Sequence, residues 1–240
     1  VTDTHTDEAL DNPVWAALTG PHRRFAEIHG RAARYQPDVT PFTCVSVEDD
    51  PGVWADLATL VGPGALVAVT GTAAPLPDGW AVDATVAGVQ MVDVGVDAAD
   101  DPEAVRLTAA DLPEMFALIA RTEPGPFLPR TVELGTYLGI RRGGTLVAMA
   151  GERLHPPGWT EISAVCTAPE VRGQGLATRL VRAVAAGIRA RGERPFLHAA
   201  ASNTTAIRLY ESLGFRLRRH TTFRAVRAPG TPGVDRRLGV

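Results

Sequence analysis

The sequence predicts an α/β or α+β fold, a sheet with helices on both faces. Three observations predict it. Short strand-like runs alternate with amphipathic helical stretches, most clearly after residue 104. Gly-Pro, Gly-Gly and Pro-Gly steps separate those runs. Hydrophobic residues make up 45% of the 240 residues, enough for a sizeable core, and no low-complexity tract breaks the chain.

Taken in order, the opening dozen residues read as frayed. Pro13–Leu18 and His22–Arg34 read as helices split by Gly20-Pro21, with His22-Arg23-Arg24 and Arg31–Arg34 as a solvated basic face. Phe42–Val47 reads as a strand and Val53–Val61 as a helix, stopped by Gly62-Pro63-Gly64. Ala65–Val69 follows as a strand, and two more short strands surround Ala81–Val94. Asp97–Pro102 is acidic and non-periodic, so a boundary is expected there: an accessory unit over 1–100 and a second unit over 104–227, with a loose tail over 228–240.

In the second unit, Val105–Leu107 reads as a strand and Ala109–Arg121 as a helix with Leu112, Met115, Phe116 and Ile119 as its apolar stripe. A Pro-rich loop over Glu123–Arg130 and a short helix near Val132–Leu134 follow. Tyr137–Arg141 and Leu146–Arg153 form a hairpin around Gly143-Gly144. Thr160–Thr167 is a strand, Gly175–Arg191 a long helix, Pro195–Ala200 a strand and Asn203–Leu213 a helix ended by Gly214. Phe215–Arg218 and Thr222–Val226 close the sheet.

Composition excludes several function classes. The net charge of −3 and pI near 6.1 lack the basic excess of a nucleic-acid binder. The longest apolar runs fall short of the ~20 residues a membrane helix needs, and Val1–Leu10 is polar and acidic, unlike a signal peptide. A cytoplasmic protein is therefore expected. Cys44 and Cys166 are too few and too far apart for a disulfide framework, and no Cys/His spacing points to a metal. All 24 basic residues other than His are Arg, whose flat and permanently charged fork suits phosphate.

The stretch richest in chemistry is Val165-Cys166-Thr167 through Arg172-Gly173-Gln174-Gly175-Leu176-Ala177. A strand ends, the chain turns, and a Gly-bearing loop opens a long helix. Such a turn exposes backbone N–H groups at a helix N-terminus, a ready anion site. Gly173 and Gly175 let the backbone approach a phosphate, and Arg172 adds a fixed charge. The turn is neither G-x-G-x-x-G nor a P-loop, which needs the Lys this chain lacks.

Arg172-x-x-Gly175-x-Ala177 resembles motif A of the GNAT superfamily, the turn that binds the pyrophosphate of acyl-CoA. Asn203-x-x-Ala206-x-x-Leu209-Tyr210-Glu211-x-x-Gly214-Phe215 resembles motif B, at the usual distance behind it. The resemblance covers about Val105–Val226 and is nearest the FR47-like branch, through Val165-Cys166-Thr167 and the Leu-Tyr-Glu-Ser-Leu-Gly-Phe run. It implies a GNAT fold, with a central mixed, mostly antiparallel sheet flanked by helices. Residues 1–100 then read as a degenerate GNAT-like copy or an unrelated cap, packed on the catalytic half.

The resemblance also implies roles. The backbone of Val165 and Thr167 would bind the pantetheine arm, and the amides of Arg172, Gly173, Gln174, Gly175, Leu176 and Ala177 the pyrophosphate. Asn203 and Ala206 would border the pantetheine, and Tyr210 would lie near the thioester sulfur. The implied activity is acyl transfer from acetyl-CoA, a cosubstrate, to a primary amine, without metal.

Chemistry supplies the other candidates. An alkylammonium must lose a proton before it attacks, the oxyanion needs a donor, and the thiolate needs an acid. Tyr210 suits the acid, and a backbone N–H near Cys166 suits the oxyanion. Glu161 suits the base, with ion pairing to Arg153 as its structural alternative, and His198 reads first as a hydrogen-bonded core histidine, with a proton relay as the alternative. Strict alternation would place Glu161, Ser163, Val165 and Thr167 on one face and Ile162, Ala164 and Cys166 on the other. Cys166 reads as a small buried residue rather than a nucleophile. Glu123–Arg130 lies where the resemblance places the acceptor-binding loop, which would put Phe127 in the lining of the acceptor pocket. The contrasting function class is a non-catalytic acyl-CoA binder or sensor. Oligomeric state stays open between monomer and homodimer, and the amine acceptor stays open too.

Overall fold

The computed structural model describes residues 7–46, 50, 52–70 and 75–230. Its strands are β1 (Ala26–His29), β2 (Ala32–Tyr35), β3 (Phe42–Val45), β4 (Leu66–Thr70), β5 (Ala81–Asp93) and β6 (Val105–Leu107), then β7 (Tyr137–Arg142), β8 (Thr145–Glu152), β9 (Trp159–Thr167), β10 (Arg194–Ala200) and β11 (Phe215–Arg227). The helices are α1 (Pro13–Thr19), α2 (Gly52–Val61), α3 (Leu112–Thr122), α4 (Leu176–Ala190) and α5 (Thr204–Ser212). Among the described residues the strands form one sheet, ordered β1-β2-β3-β4-β11-β5-β10-β9-β8-β7-β6. Only the β3–β4 and β9–β10 pairs are parallel, which gives the mixed, mostly antiparallel sheet expected of the fold.

β5 stands inside the sheet, paired with β10 on one edge and β11 on the other. The segment Asp97–Pro102 lies between β5 and β6, and hydrogen bonding runs across it. Packing does so as well: Leu10, Val14, Leu18 and Phe25 share a core with Leu154, Trp159 and Phe196. The acidic segment itself clips onto the outer side of α4 through Asp97–Arg182 and Asp101–Arg179 ion pairs, and Asp93 at the end of β5 pairs with Arg189 on the same helix.

Several local readings are corrected. His22–Arg34 is not a helix. After one 3₁₀ turn at Arg23–Phe25 it forms the β1–β2 hairpin, closed by Gly30 and Arg31. Gly30 takes φ +52°, and the Arg31 N–H donates to Asp56 at 2.9 Å, so the turn has its own anchor. His22 is buried rather than part of a solvated face, and its Nδ1 lies 2.8 Å from the Tyr35 hydroxyl. The two short strands around Ala81–Val94 are one strand of thirteen residues, as are the two expected at Phe215–Arg218 and Thr222–Val226. Each runs long because the other pairs with it from end to end. Of the opening dozen residues, Leu10 is fully buried and Asn12 caps α1, accepting from the Trp15 N–H. Residues 1–6, like 231–240 of the expected loose tail, lie outside the described residues.

α4 carries the strongest amphipathic pattern. Leu180, Val181, Val184 and Ile188 are buried, while Arg179, Arg182 and Arg189 take the other side. It packs on β7 through β10 and so fixes its own N-terminus relative to the end of β9. No helix among the described residues is long and apolar enough to cross a membrane.

Candidate active site

The site begins where two parallel strands part. β9 and β10 pair from Trp159–Arg194 to Ile162–Leu197 and no further, although β9 continues to Thr167 and β10 to Ala200. The residues beyond the last pair, Ser163–Thr167 and His198–Ala200, line a cleft of about 730 Å³. Arg172 and Ala177 line it from the turn before α4, and Asn203, Ala206 and Tyr210 from α5. Thr122 at the end of α3 and residues 123–126 of the loop after it also line it, as do Phe42, Ala68, Ala84 and Val86 from β3, β4 and β5. The last group shows that residues 1–100 form part of the wall. Phe127 is buried beside Phe116 and Tyr137 instead of lining the cleft.

A bulge in β9 sets the orientation of its side chains. Met149 pairs with Cys166 and Gly151 with Ser163, so β9 holds one residue more than β8 between those pairs. Ala164, inside the bulge, takes φ +52°, an uncommon conformation for a residue with a Cβ. The alternation expected from the sequence therefore fails here. Cys166 lies on the face of Ser163 and Glu161, not opposite them, because the extra residue reverses the phase of the strand.

The turn into α4 is shaped by backbone conformation. Gly173 and Gly175 adopt φ +80° and +74°, and a Cβ at either would meet no atom within 4 Å. Glycine is required by the left-handed geometry, not by crowding. Gly175 is the N-cap of α4, with no side chain capping the helix and no acidic residue in its first turn. The first-turn amides are thus left for an anion. Arg172 is exposed, and its Nε donates to the Thr167 carbonyl at 3.3 Å.

Glu161 is fully buried. Arg153 grips it through two hydrogen bonds, and its Oε1 lies 2.7 Å from His198 Nδ1. Burial by itself would raise its pKa. The Arg153 charge and hydrogen bonds, joined by His198, override burial and bring it down to about 2. Glu161 does not border the cleft, whereas Arg153 and His198 do. His198 also lines a smaller cavity of about 100 Å³ together with Gln90, Thr70 and Leu10, so the imidazole stands in the wall between the two spaces.

Tyr210 is 8% exposed, its ring set edge-on to Phe215. Burial, assisted by the nearby Cys166, pushes its hydroxyl up to about 12, so the phenol keeps its proton at neutral pH. Burial likewise raises the Cys166 thiol to about 11. Asn203 is the N-cap of α5, its Oδ1 accepting from the Ala206 N–H at 3.1 Å. Sequence reasoning missed Gln90, which bonds His198. The available signal was a lone amide in the apolar run Val89-Gln90-Met91-Val92.

The family model described as FR47-like protein matches residues 137–224. A solved structure from Novosphingobium aromaticivorans, assigned to the GNAT family of acetyltransferases, is 45% identical; the match covers 92% of this chain and 99% of that one, with a TM-score of 0.83. The N-alpha-acetyltransferase RimI of Mycobacterium tuberculosis is 39% identical over 83 residues, 33% of this chain and 51% of that protein. A mycothiol acetyltransferase of Thermobispora bispora is 41% identical over 83 residues, 31% of this chain and 28% of that protein. The chain thus spans about half of the first of these two relatives and less of the second.

Proposed function

The chain belongs to the GNAT family, and from that premise we propose that it transfers an acetyl group from acetyl-CoA to a primary amine by direct attack within a ternary complex. One observation carries the reading: the cleft between the parted strands β9 and β10 has an uncapped, glycine-entered helix N-terminus on its wall and the protonated Tyr210 phenol beside it.

In this reading the amides of Arg172, Gly173, Gln174, Gly175, Leu176 and Ala177 hold the pyrophosphate, assisted by the Arg172 charge. The backbone of Val165 and Thr167 pairs with the pantetheine arm in the place where β9 has lost its partner strand. Asn203 and Ala206 border that arm. The thioester carbonyl then lies at the β9 bulge, where a backbone N–H near Cys166 stabilises the oxyanion. Tyr210 gives its proton to the departing thiolate.

The acceptor arrives as an ammonium, pKa about 10.4, and must be deprotonated. Glu161 and His198 share that task. A carboxylate held near 2 by Arg153 is a poor proton acceptor, so His198 takes the proton and Glu161 steadies the resulting imidazolium. Residues 1–100, through Phe42, Ala68, Ala84 and Val86, shape the acceptor side.

The experiment is thiol release from acetyl-CoA across a panel of amines, with Tyr210→Phe and Glu161→Gln beside the parent. Acceptor-dependent release, lowered in both variants, is the expected result. Tight acetyl-CoA binding without turnover of any amine would favour a non-catalytic acyl-CoA sensor. Failure to bind acetyl-CoA would sink the reading.

A further inference from the structure

Gln90, on β5, is 2% exposed and sits directly across from His198 on β10. Its three hydrogen bonds determine which way its amide points. Arg218 Nη1 donates to Gln90 Oε1 at 3.0 Å, and an arginine can only donate. Gln90 Nε2 donates to the Leu10 carbonyl at 2.9 Å, and a carbonyl can only accept. Both neighbours demand the same orientation, so the amide cannot be flipped. The second Nε2 hydrogen then meets His198 Nε2 at 3.2 Å.

The arrangement is built by a second bulge. Leu217 pairs with Met91 and Arg219 with Gln90, which leaves Arg218 as the extra residue of β11. Its other end is fastened to the Asp7 carbonyl and to Asp11.

We propose that Gln90 is a positioning residue for the reaction assigned above: its amide hydrogen keeps His198 a neutral imidazole, protonated on Nδ1, with the Nε2 lone pair as its proton-accepting site. The inference rests on the acyltransfer reading for its purpose, but not for its geometry. His198 Nδ1 faces the Glu161 carboxylate, which only accepts, so the ring must donate there. Nε2 faces a donor, so it must be bare. Glu161 accepts at Nδ1 and the Gln90 N–H donates at Nε2, so the two partners between them fix one tautomer of the ring.

The other groups around His198 do not disturb this assignment. Arg153 spends its Nε and Nη2 on Glu161. The Phe196 and Phe223 rings meet the imidazole edge-on, at centroid distances of 5.6 and 5.7 Å. Asp11 is held by Arg218 and Arg219, and with Arg219 and His220 it borders the small cavity.

Proton balance gives the arrangement its use. An ammonium and a thioester become an amide, a thiol and one proton in excess. The ammonium nitrogen loses two protons; one goes to the thiolate through Tyr210 and the other must leave. Nε2 accepts it by displacing the Gln90 hydrogen, whose bond is the longest of the amide's three.

The test is ¹⁵N NMR of the histidine rings in the full chain without acceptor, with His198 assigned by its loss in His198→Gln. At pH 7 the expected spectrum has a protonated Nδ1 and a bare Nε2. A spectrum with Nε2 protonated would overturn the proposal. In Gln90→Glu, a carboxylate facing Nε2 should hold the ring proton to at least one pH unit higher, with the acid limb of kcat/KM moving equally and the KM for acetyl-CoA unchanged. Each unit corresponds to about a tenfold change in proton affinity. An unmoved titration in a folded Gln90→Glu protein would overturn the proposal as well. If that variant does not fold, the parent spectrum decides. If no amine is acetylated but the tautomer is as expected, the function fails and the positioning stands.

Discussion

Arg153 holds Glu161 at both ends of its guanidinium edge, Nε to Oε2 at 2.8 Å and Nη2 to Oε1 at 2.7 Å, with the carboxylate wholly removed from solvent. An unmatched charge in that position is costly. Arg153→Met should destabilise the fold by about 3–5 kcal/mol, read from urea unfolding. Glu161→Gln should cost a similar amount, because it strands the guanidinium instead. Equal midpoints for parent and variants would contradict the pairing.

The same pair gives a pH dependence with a definite sign. The Glu161 carboxyl lies at about 2 in the folded protein, below its ordinary 4.5. A depressed acid stabilises the fold fully above its unfolded value and loses that contribution as pH falls through the folded one. Stability should therefore decline from about pH 4.5 towards 2, and the Glu161→Gln protein should lack this part of the decline. Thermal melts across that range would show it.

Gly175→Ala places a Cβ at φ +74° in open space. The cost should be the backbone penalty alone, about 1–2 kcal/mol, without any clash to relieve. Acetyl-CoA affinity should fall more than stability does, since the turn is proposed to meet the pyrophosphate. Calorimetric titration beside a melting curve separates the two effects.

Burial keeps the Cys166 thiol protonated, at about 11. Alkylation of Cys166 by iodoacetamide should be slow at pH 7 and accelerate only as pH approaches that value. Acetyl-CoA should slow it further. Cys166→Ala should keep acceptor-dependent thiol release, and complete loss of it in a folded variant would point to an acyl-enzyme.

Tyr210→Phe should lower kcat by about 10²-fold or more while leaving the KM for acetyl-CoA nearly unchanged. The hydroxyl, at about 12, should impose no loss of rate through pH 10. A basic limb near pH 8 that disappears in Tyr210→Phe would contradict the high value.

The turn at Arg172–Ala177 was legible in the sequence because its signals are local: two glycines, a strand before them and an apolar stripe after them. The β9 bulge was not. Alternation assumes one residue per step, and Ala164 carries no mark of the left-handed conformation it adopts. The β1–β2 hairpin was hidden because Ala32, Ala33 and Arg34 suit a helix; tertiary packing of Ala32, Ala33 and Tyr35 decides otherwise. Glu161 and Arg153 were legible as neighbours on adjacent strands. The Gln90–His198 contact joins residues 108 positions apart, and no local pattern reports which strands will meet.

The place of β5 in the sheet also bears on how the chain is made. β5 ends at Asp93, but β10 opens at Arg194 and β11 closes only at Arg227. A ribosome adding ~5–20 residues per second leaves β5 with both edges bare for on the order of ten seconds. During that wait Val89-Gln90-Met91-Val92 is an apolar ribbon able to join the wrong strand. The nascent chain should therefore depend on holdase chaperones until its last strand emerges, and refolding from denaturant should be slow and concentration-sensitive.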